Sequence, residues 1–345
     1  MPLKPINKIV SYYPKPALGT IKEGDTRYMA LSVDKESINP YFGLAREITK
    51  SKGSVDIPGF VDESKLIIVQ SKDLLSWEKI SDLKIKGIEK IIKELSGNDK
   101  YFIGLEDPDI YIENKLKQVF FTIAFKYKNK TGYEVYLGHA QGKSLNNLTA
   151  TQPNLSPILN KNIRGFKEVA ISPIKINGKM INLTEAQIVE KEEISAIEFS
   201  KAKSMSKPWK HLGIALDPTE MRYRWCRGHL SPCYFFPKDF VNYNNLLICI
   251  VNGREPDKST NNQKVYGKFR PGLILFNPET GEIPWVSKEP LFEDPDARTI
   301  TFASDFIQTK KDEGLLYAHV NDSFVRVYKI NAKELQKYLD ENCNI

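Results

Sequence analysis

Short apolar runs bounded by turn residues dominate the chain. KLIIVQS (65–71), QVFFTIAF (118–125), EVYLGHA (134–140), LLICIVNG (246–253), GLILF (272–276) and FVRVYKI (324–330) are rich in Val, Ile, Phe and Tyr. Runs of this length and composition predict β-strands. Two segments carry a helical period instead. Ile85, Ile88, Ile92 and Leu95 recur on one helical face, with Gly97 placed to end it. Near the other end, Asn331 can cap a helix with Glu334 three residues on, and Leu335, Tyr338 and Leu339 form its apolar face.

A degenerate segment recurs after several of these strands. SKDLLSWEKI (71–80) is echoed by GKSLNNLTATQP (142–153), SKAKSMSKPWKHLG (200–213) and PETGEIPWVSKEPLFE (278–293). The interval exceeds the roughly 40–50 residues of common propeller repeats, and it fits four-stranded blades with long loops. Five such units would take up nearly the whole chain. The pattern therefore predicts an all-β fold, a five-bladed β-propeller in one domain over residues 1–345, with a short inserted helix and a C-terminal helix. A two-sheet sandwich is the alternative. In a propeller, polar residues at the starts of inner strands line the central pocket. Trp77, Trp209 and Trp285 belong to the repeated turns and read as core anchors.

Composition narrows the function classes. With 41% hydrophobic and 27% charged residues, the chain is an ordinary globular one. Its net charge of +7 is spread among 43 acidic residues without a long arginine run, which argues against a nucleic-acid partner and suits an anionic sugar or phosphate. The first residues lack a continuous apolar segment of the secretory kind, and no stretch approaches the ~18 apolar residues of a membrane span. A cytoplasmic location without a membrane partner is the expectation. Cys226, Cys233, Cys249 and Cys343 show no zinc-type spacing and read as reduced thiols. The four histidines, at 139, 211, 229 and 319, are scattered without HExxH, so neither a metal nor another cofactor is expected. GHAQGKS (138–144) has three residues between its glycines where a P-loop has four, and it follows no βαβ pattern.

The tetrapeptide EDPD occurs twice, at 106–109 and 293–296. The first copy stands between YFIGL and a run with Ile110 and Ile112, so its carboxylates lie at the entry of a strand. Pro108 cannot donate to a ladder, which puts them at an edge. Carboxylates this close repel one another when ionised, and at least one is driven to hold a proton near neutrality. The second copy is flanked by charges beside a blade-closing turn and reads as an acidic turn.

GLEDPDIYIENKLKQVFFTIAF resembles the G-[VL]-E-D-P-R strand of glycoside hydrolase family 130, the inverting β-mannoside phosphorylases and hydrolases. Four further segments follow in that family's order: FKEVAISPIKINGKMINL (166–183), RGHLSPCYFF…LLICIVNG (227–253), PLFEDPD, and YAHVNDSFVRV (317–327). The resemblance implies a five-bladed propeller. It implies that Asp107 is the catalytic acid, protonating the glycosidic oxygen, and that Glu106 and Asp322 hold sugar hydroxyls. It implies that Lys167 helps to hold phosphate. Asp109 stands where the family keeps Arg, Thr184-Glu185-Ala186 where it keeps His-Arg-Pro, and Asn252 where it keeps His. These departures weaken the case for phosphate as nucleophile, and Arg222, Arg224, Arg227, His229 and Arg254 are the candidates to compensate. Asp109, Asn252 and His319 complete the candidate sugar ligands.

Three reactions fit this reading. A phosphorylase would form or consume mannose 1-phosphate with inorganic phosphate. A mannosyltransferase would use an activated mannose and an acceptor sugar. An inverting hydrolase would need a second carboxylate as base, for which Glu168 and Glu185 are the candidates. A non-catalytic sugar-binding propeller is the alternative of another class. The expected partners are a mannose-containing oligosaccharide, mannose 1-phosphate or inorganic phosphate.

Overall fold

The apolar runs become antiparallel strands because their alternate residues find opposite faces buried. In the computed structural model, residues 2–343 are described except 23, 54–56, 58, 131, 156–162, 192–193 and 261–262. They are mostly β-sheet, with two α-helices among them.

Tyr28–Val33, Tyr41–Lys52, Val61–Ser71 and Trp77–Asp82 form a first antiparallel four-strand unit. Lys100–Glu113, Leu116–Tyr127, Tyr133–Gly142 and Leu148–Thr151 form a second. The third is Ile163–Ala170, Met180–Ile188, Ser195–Ala202 and Lys210–Leu216. His229–Phe235, Leu247–Arg254, Phe269–Phe276 and Trp285–Val286 make the fourth. Thr301–Lys310, Glu313–Val320 and Phe324–Asn331 begin the fifth, and Val10–Tyr12 from the other end of the chain supplies its fourth strand, with the short Lys4–Pro5 paired beyond it. A single parallel bridge from Ser64 to Gly104 joins the first two units. With the short strand Ile85–Lys86, they count as one nine-stranded sheet.

Each run predicted as a strand falls on one of these, with LLICIVNG starting one residue ahead of its strand. The four copies of the recurring segment all fall on the same connection, from the third to the fourth strand of a unit. The fifth unit has no copy because its fourth strand comes from residues 10–12. Trp77 and Trp209 are buried as anchors. Trp285 is half-buried and serves the C-terminal helix, packing on Tyr338 and donating its indole N–H to the Asn342 carbonyl.

Both helices form where the period places them. The first is Ile88–Ser96, so Ile85 belongs to the preceding strand, and Gly97 ends it as expected. The second is Ala332–Asn342, with the Asn331 side chain accepting from the N–H groups of Lys333 and Glu334. No helix among the described residues is long and apolar enough to cross a membrane. The four cysteines are buried free thiols.

The five inner strands do not form ladders with one another. Each is instead bulged against its neighbour: between Met29 and Ser32, Glu106 and Asp109, Lys167 and Val169, Pro232 and Tyr234, and Ala303 and Asp305, with further register shifts at Phe102 to Gly104, Arg164 to Lys167 and Gln308 to Lys310. A bulge leaves one residue outside the ladder and re-aims its side chain. Polar side chains then bridge adjacent units. Ser32 Oγ accepts from Ile110 N at 3.0 Å, and Asp305 accepts from Val33 N at 2.8 Å. Tyr111 donates its hydroxyl to Val169 O at 3.1 Å. Glu185 pairs with His229 at 2.9 Å, and Asn252 exchanges two hydrogen bonds with the Ala303 backbone.

The second EDPD copy is structural, as an acidic turn, but it is more than a solvated one. Asp294 is buried and takes Arg326 on both oxygens, at 2.6 and 2.7 Å, and the Tyr328 hydroxyl besides. Asp296 receives the other nitrogen of Arg326, which also donates to Pro14 O. One fully buried guanidinium thus holds the last strand, the turn before the fifth unit and the N-terminal segment together. Removing one member leaves an uncompensated buried charge. Arg326→Ala is expected to lower the unfolding free energy by about 3–5 kcal/mol, read as a fall in the urea midpoint. A loss below about 1 kcal/mol, as for an exposed pair, would show that the junction does not rely on it.

Candidate active site

The acidic strand reaches the axis through a close backbone approach. A Cβ on Gly104 would lie 2.5 Å from the Ser64 carbonyl oxygen, so only glycine permits the bridge to the first unit at that point. Two residues on, the bulge at Glu106 to Asp109 includes Pro108, which has no N–H to lose. Asp107 takes a left-handed backbone, φ 46°, a strained conformation for a residue with a Cβ.

Arg46 holds both carboxylates at this bulge. One nitrogen lies 2.7 Å from Glu106 Oε1 and the other 3.3 Å from Asp107 Oδ1. Burial works against the guanidinium's charge, but Glu106, Asp107, Asp62 and Asp322 together hold it more firmly protonated than usual. Glu106 itself is pushed up to about 7, by burial first and by Asp107 next, against the pull of Arg46 and Lys167. Asp322 sits on the turn before Phe324–Asn331 and accepts from His319 Nε2 at 3.2 Å. Burial raises its pKa, yet His319, Arg46 and Arg27 outweigh burial and hold it below the usual range. His319 stacks on Phe302, with ring centroids 5.1 Å apart.

The third unit repeats the device. Glu168 occupies its bulge with φ 46°, as Asp107 does in the second. Burial, and then Asp107, drives the Glu168 carboxyl well above its ordinary range. Lys167 lies beside it, 3.4 Å from Glu185 Oε1. Burial opposes its charge, but Glu185, Glu168, Asp107 and Glu106 keep it protonated. Glu185 is fully enclosed, and Lys167 and His229 overcome its burial and lower it to about 2. His229 is held below the ordinary imidazole value, chiefly by burial. Glu106, Asp107, Lys167, Glu168, Glu185, His229, His319 and Asp322 therefore share one end of the axis.

Other expected ligands stand elsewhere. Asn252 is fully buried with both ends of its amide on Ala303, so it pins the fourth unit to the fifth and does not face a sugar. Asp109 is buried, faces the Val169 N–H, and is raised well above its usual value by burial and by Asp305. It too serves a junction, between the second and third units. Arg222, Arg224 and Arg227 have exposed side chains beside the short turns Pro218–Glu220 and Arg224–Cys226, and they do not converge with His229. Arg254, by contrast, stays near the site: it is buried opposite His229 on the neighbouring strand and acts on its imidazole, 3.4 Å from Asp257 and against the rings of Tyr266 and Phe269.

Arg27, Arg46 and Asp62 are charged residues of this end that the motifs do not announce. Arg27 donates to Asp62 at 2.5 Å and to Asp322 O at 3.3 Å. Lys35 pairs with Asp305 at 2.7 Å and lies over the Tyr234 ring. The one weak signal was the adjacent pair Arg46 and Glu47 in the run YFGLAREI, because neighbouring strand residues face opposite sides and one of the two charges then points inward. Among the described residues no group of His, Cys, Asp and Glu side chains is arranged to hold a metal ion.

The fold has known counterparts in structure. No protein-family model matches the chain, and no curated protein matches it in sequence. The β-1,2-mannobiose phosphorylase from Listeria innocua, solved with β-1,2-mannobiose, is similar over 96% of this chain and 99% of its own, at 15% identity and a TM-score of 0.69. A mannose phosphorylase from Leishmania mexicana in complex with phosphate ion matches over 94% and 90%, at 14% identity and a TM-score of 0.58. A GDP-Man-dependent mannosyltransferase from the same organism matches over 91% and 88%, at 13% identity and a TM-score of 0.56. The fold is thus like that of glycoside hydrolase family 130 and related proteins, in agreement with the resemblance read from the motifs.

The raised pKa of Glu106 has a sign that can be measured. An ordinary glutamate loses its proton near 4.5 and the folded one near 7. Between these values the folded state binds more protons, so stability falls as pH rises through the window. Glu106→Gln is expected to lessen that decline in urea unfolding followed across it, leaving the share of Glu168 and Asp109, which burial also raises. An unchanged decline would assign the proton to another group.

Proposed function

We propose that this chain is an inverting enzyme of β-mannosides, built as a single five-bladed β-propeller. It transfers mannose to or from phosphate or an acceptor sugar, with Asp107 as general acid. The observation that carries the reading is the bulge at Glu106 and Asp107, clamped by Arg46 beside Lys167 and Glu168. The propeller is supported by the five units of four or more strands, each with a bulged inner strand, and by the strand at residues 10–12 that joins the fifth. The mannose is supported by what the similar structures are said to bind or act on: β-1,2-mannobiose, phosphate, and GDP-Man as donor.

In an inverting transfer the acid gives its proton to the leaving oxygen, directly or through a sugar hydroxyl, while the nucleophile attacks the anomeric carbon from the opposite face. Asp107 gives that proton, and Glu106, Asp322 and His319 orient hydroxyls of the mannose. With phosphate as nucleophile, Lys167 and Arg254 hold the anion and the product is mannose 1-phosphate. With an activated mannose, the same cations face its phosphate.

One observation favours a second reading, hydrolysis. Lys167 is already engaged by a fully buried, ionised Glu185, which also takes His229. That carboxylate offsets the positive charge a phosphate would need. Water attacking in its place requires a base: Glu168 can serve only in the fraction that has lost its proton, whereas Glu185 is ionised but committed to Lys167 and His229.

The decisive assay incubates the protein with β-1,2-mannobiose, with and without phosphate, and with mannose 1-phosphate or GDP-Man plus an acceptor. Mannose 1-phosphate identifies a phosphorylase, free mannose alone a hydrolase, and chain growth a transferase. Asp107→Asn is expected to cut turnover by on the order of 10²–10⁴-fold, and unchanged turnover would remove Asp107 from the role. Glu185→Gln frees the charge of Lys167 and is expected to raise phosphorolysis relative to hydrolysis by about tenfold, equivalent to about 1.4 kcal/mol.

A further inference from the structure

Few large apolar side chains are exposed among the described residues, and three of them gather at one place. Tyr101 is 41% exposed, Phe102 39% and Tyr133 37%. Tyr101 is the second residue of the inner strand of the second unit and Tyr133 opens its third strand, and both pair in register with Lys126 on the strand between them. Residues paired across strands share a face, so Tyr101, Lys126 and Tyr133 form one transverse row. Adjacent strands lie about 4.8 Å apart, which spreads the two rings over a width of about 10 Å.

This row belongs to the same end of the molecule as the carboxylates. It lies on the strand that carries Glu106 and Asp107, at the end where that strand begins. Tyr133 donates its hydroxyl to the Phe60 carbonyl, so it spans from the second unit to the long hairpin of the first. Glu106 and Asp62 are close enough to act on the Tyr133 phenol. The row is therefore continuous with the proposed pocket and stands at its rim.

Its chemistry selects the occupant. Two phenol rings separated by an ammonium group offer apolar faces with hydrogen-bonding groups between them. A pyranose matches that arrangement, with C–H groups on one face and hydroxyls around its edge. A purely apolar partner would leave Lys126 and a phenol hydroxyl without matches. A phosphate would find a single cation beside Glu106 and Asp62.

We propose that Tyr101, Lys126 and Tyr133 form an outer sugar-binding subsite, which holds a residue of an oligosaccharide whose reacting bond lies at Asp107. The inference rests on the mannoside reading above and adds that the substrate is longer than a disaccharide.

Calorimetric titration of the full chain with β-1,2-mannobiose and with β-1,2-mannotetraose tests it. The tetraose is expected to bind more tightly by about tenfold or more, the scale on which a Tyr anchor acts. Tyr133→Ala should reduce that advantage to near parity, while Tyr133→Phe, which keeps the ring, should retain most of it. Tyr101→Ala serves as the second variant should Tyr133→Ala fail to fold. Equal affinity of the wild-type chain for both sugars, or an advantage that survives both alanine variants, would overturn the subsite alone. Binding of neither sugar would overturn the mannoside reading and the subsite with it.

Discussion

The structure depends on a constraint at its axis. Five inner strands converge there, and their backbones do not pair with one another. Each junction needs a side chain to reach across it: Ser32 to Ile110, Tyr111 to Val169, Glu185 to His229, Asn252 to Ala303, and Asp305 to Val33. Buried backbone groups left without partners are costly. Polar residues on these strands are therefore required by the fold before any ligand arrives. A site at the same axis has to share its carboxylates and amides with the architecture.

That sharing explains which parts of the site were legible in the sequence. The strands with strong apolar runs, both helix caps and the recurring turn follow from local pattern, and the structure has them all. Asp109 and Asn252 read as ligands because a polar residue on a central strand looks idle until its neighbour is known. Their partners, Val169 and Ala303, stand 60 and 51 residues away in the chain, and no local signal marks them. Arg46 was hidden for the opposite reason. Its strand, Tyr41–Lys52, mixes apolar residues with exposed charges, so it carried no clear alternation. The two EDPD copies show the limit most directly. The same four letters form a clamped, strained bulge in one place and a buried anchor for Arg326 in the other, and only distant arginines separate them.

Electrostatics at the axis follows from the same crowding. Glu106, Asp107, Asp109, Glu168 and Glu185 lie within reach of one another, with Arg46 and Lys167 as the cations set among them. Like charges in a low-dielectric space cannot all ionise. The chain resolves this by dividing labour. Glu185, paired with Lys167 and His229, stays ionised, whereas Glu106 and Glu168 are driven to hold protons. Carboxyls of both kinds within one cavity are what proton transfer near neutrality requires.

The strand at residues 10–12 that completes the fifth unit has a consequence for how the protein is made. Its partner, Phe324–Asn331, leaves the ribosome only after the other four units have been synthesised. Until then the early strand has no edge to join, and Asp322 and His319 have not reached the pocket. Domains that depend on such distant contacts close slowly, and unpaired strand edges invite wrong partners in the interval. The growing chain therefore carries Arg46, Glu106 and Asp107 without their late partners through most of its synthesis, and the cluster is first complete when the last strands pair with the first.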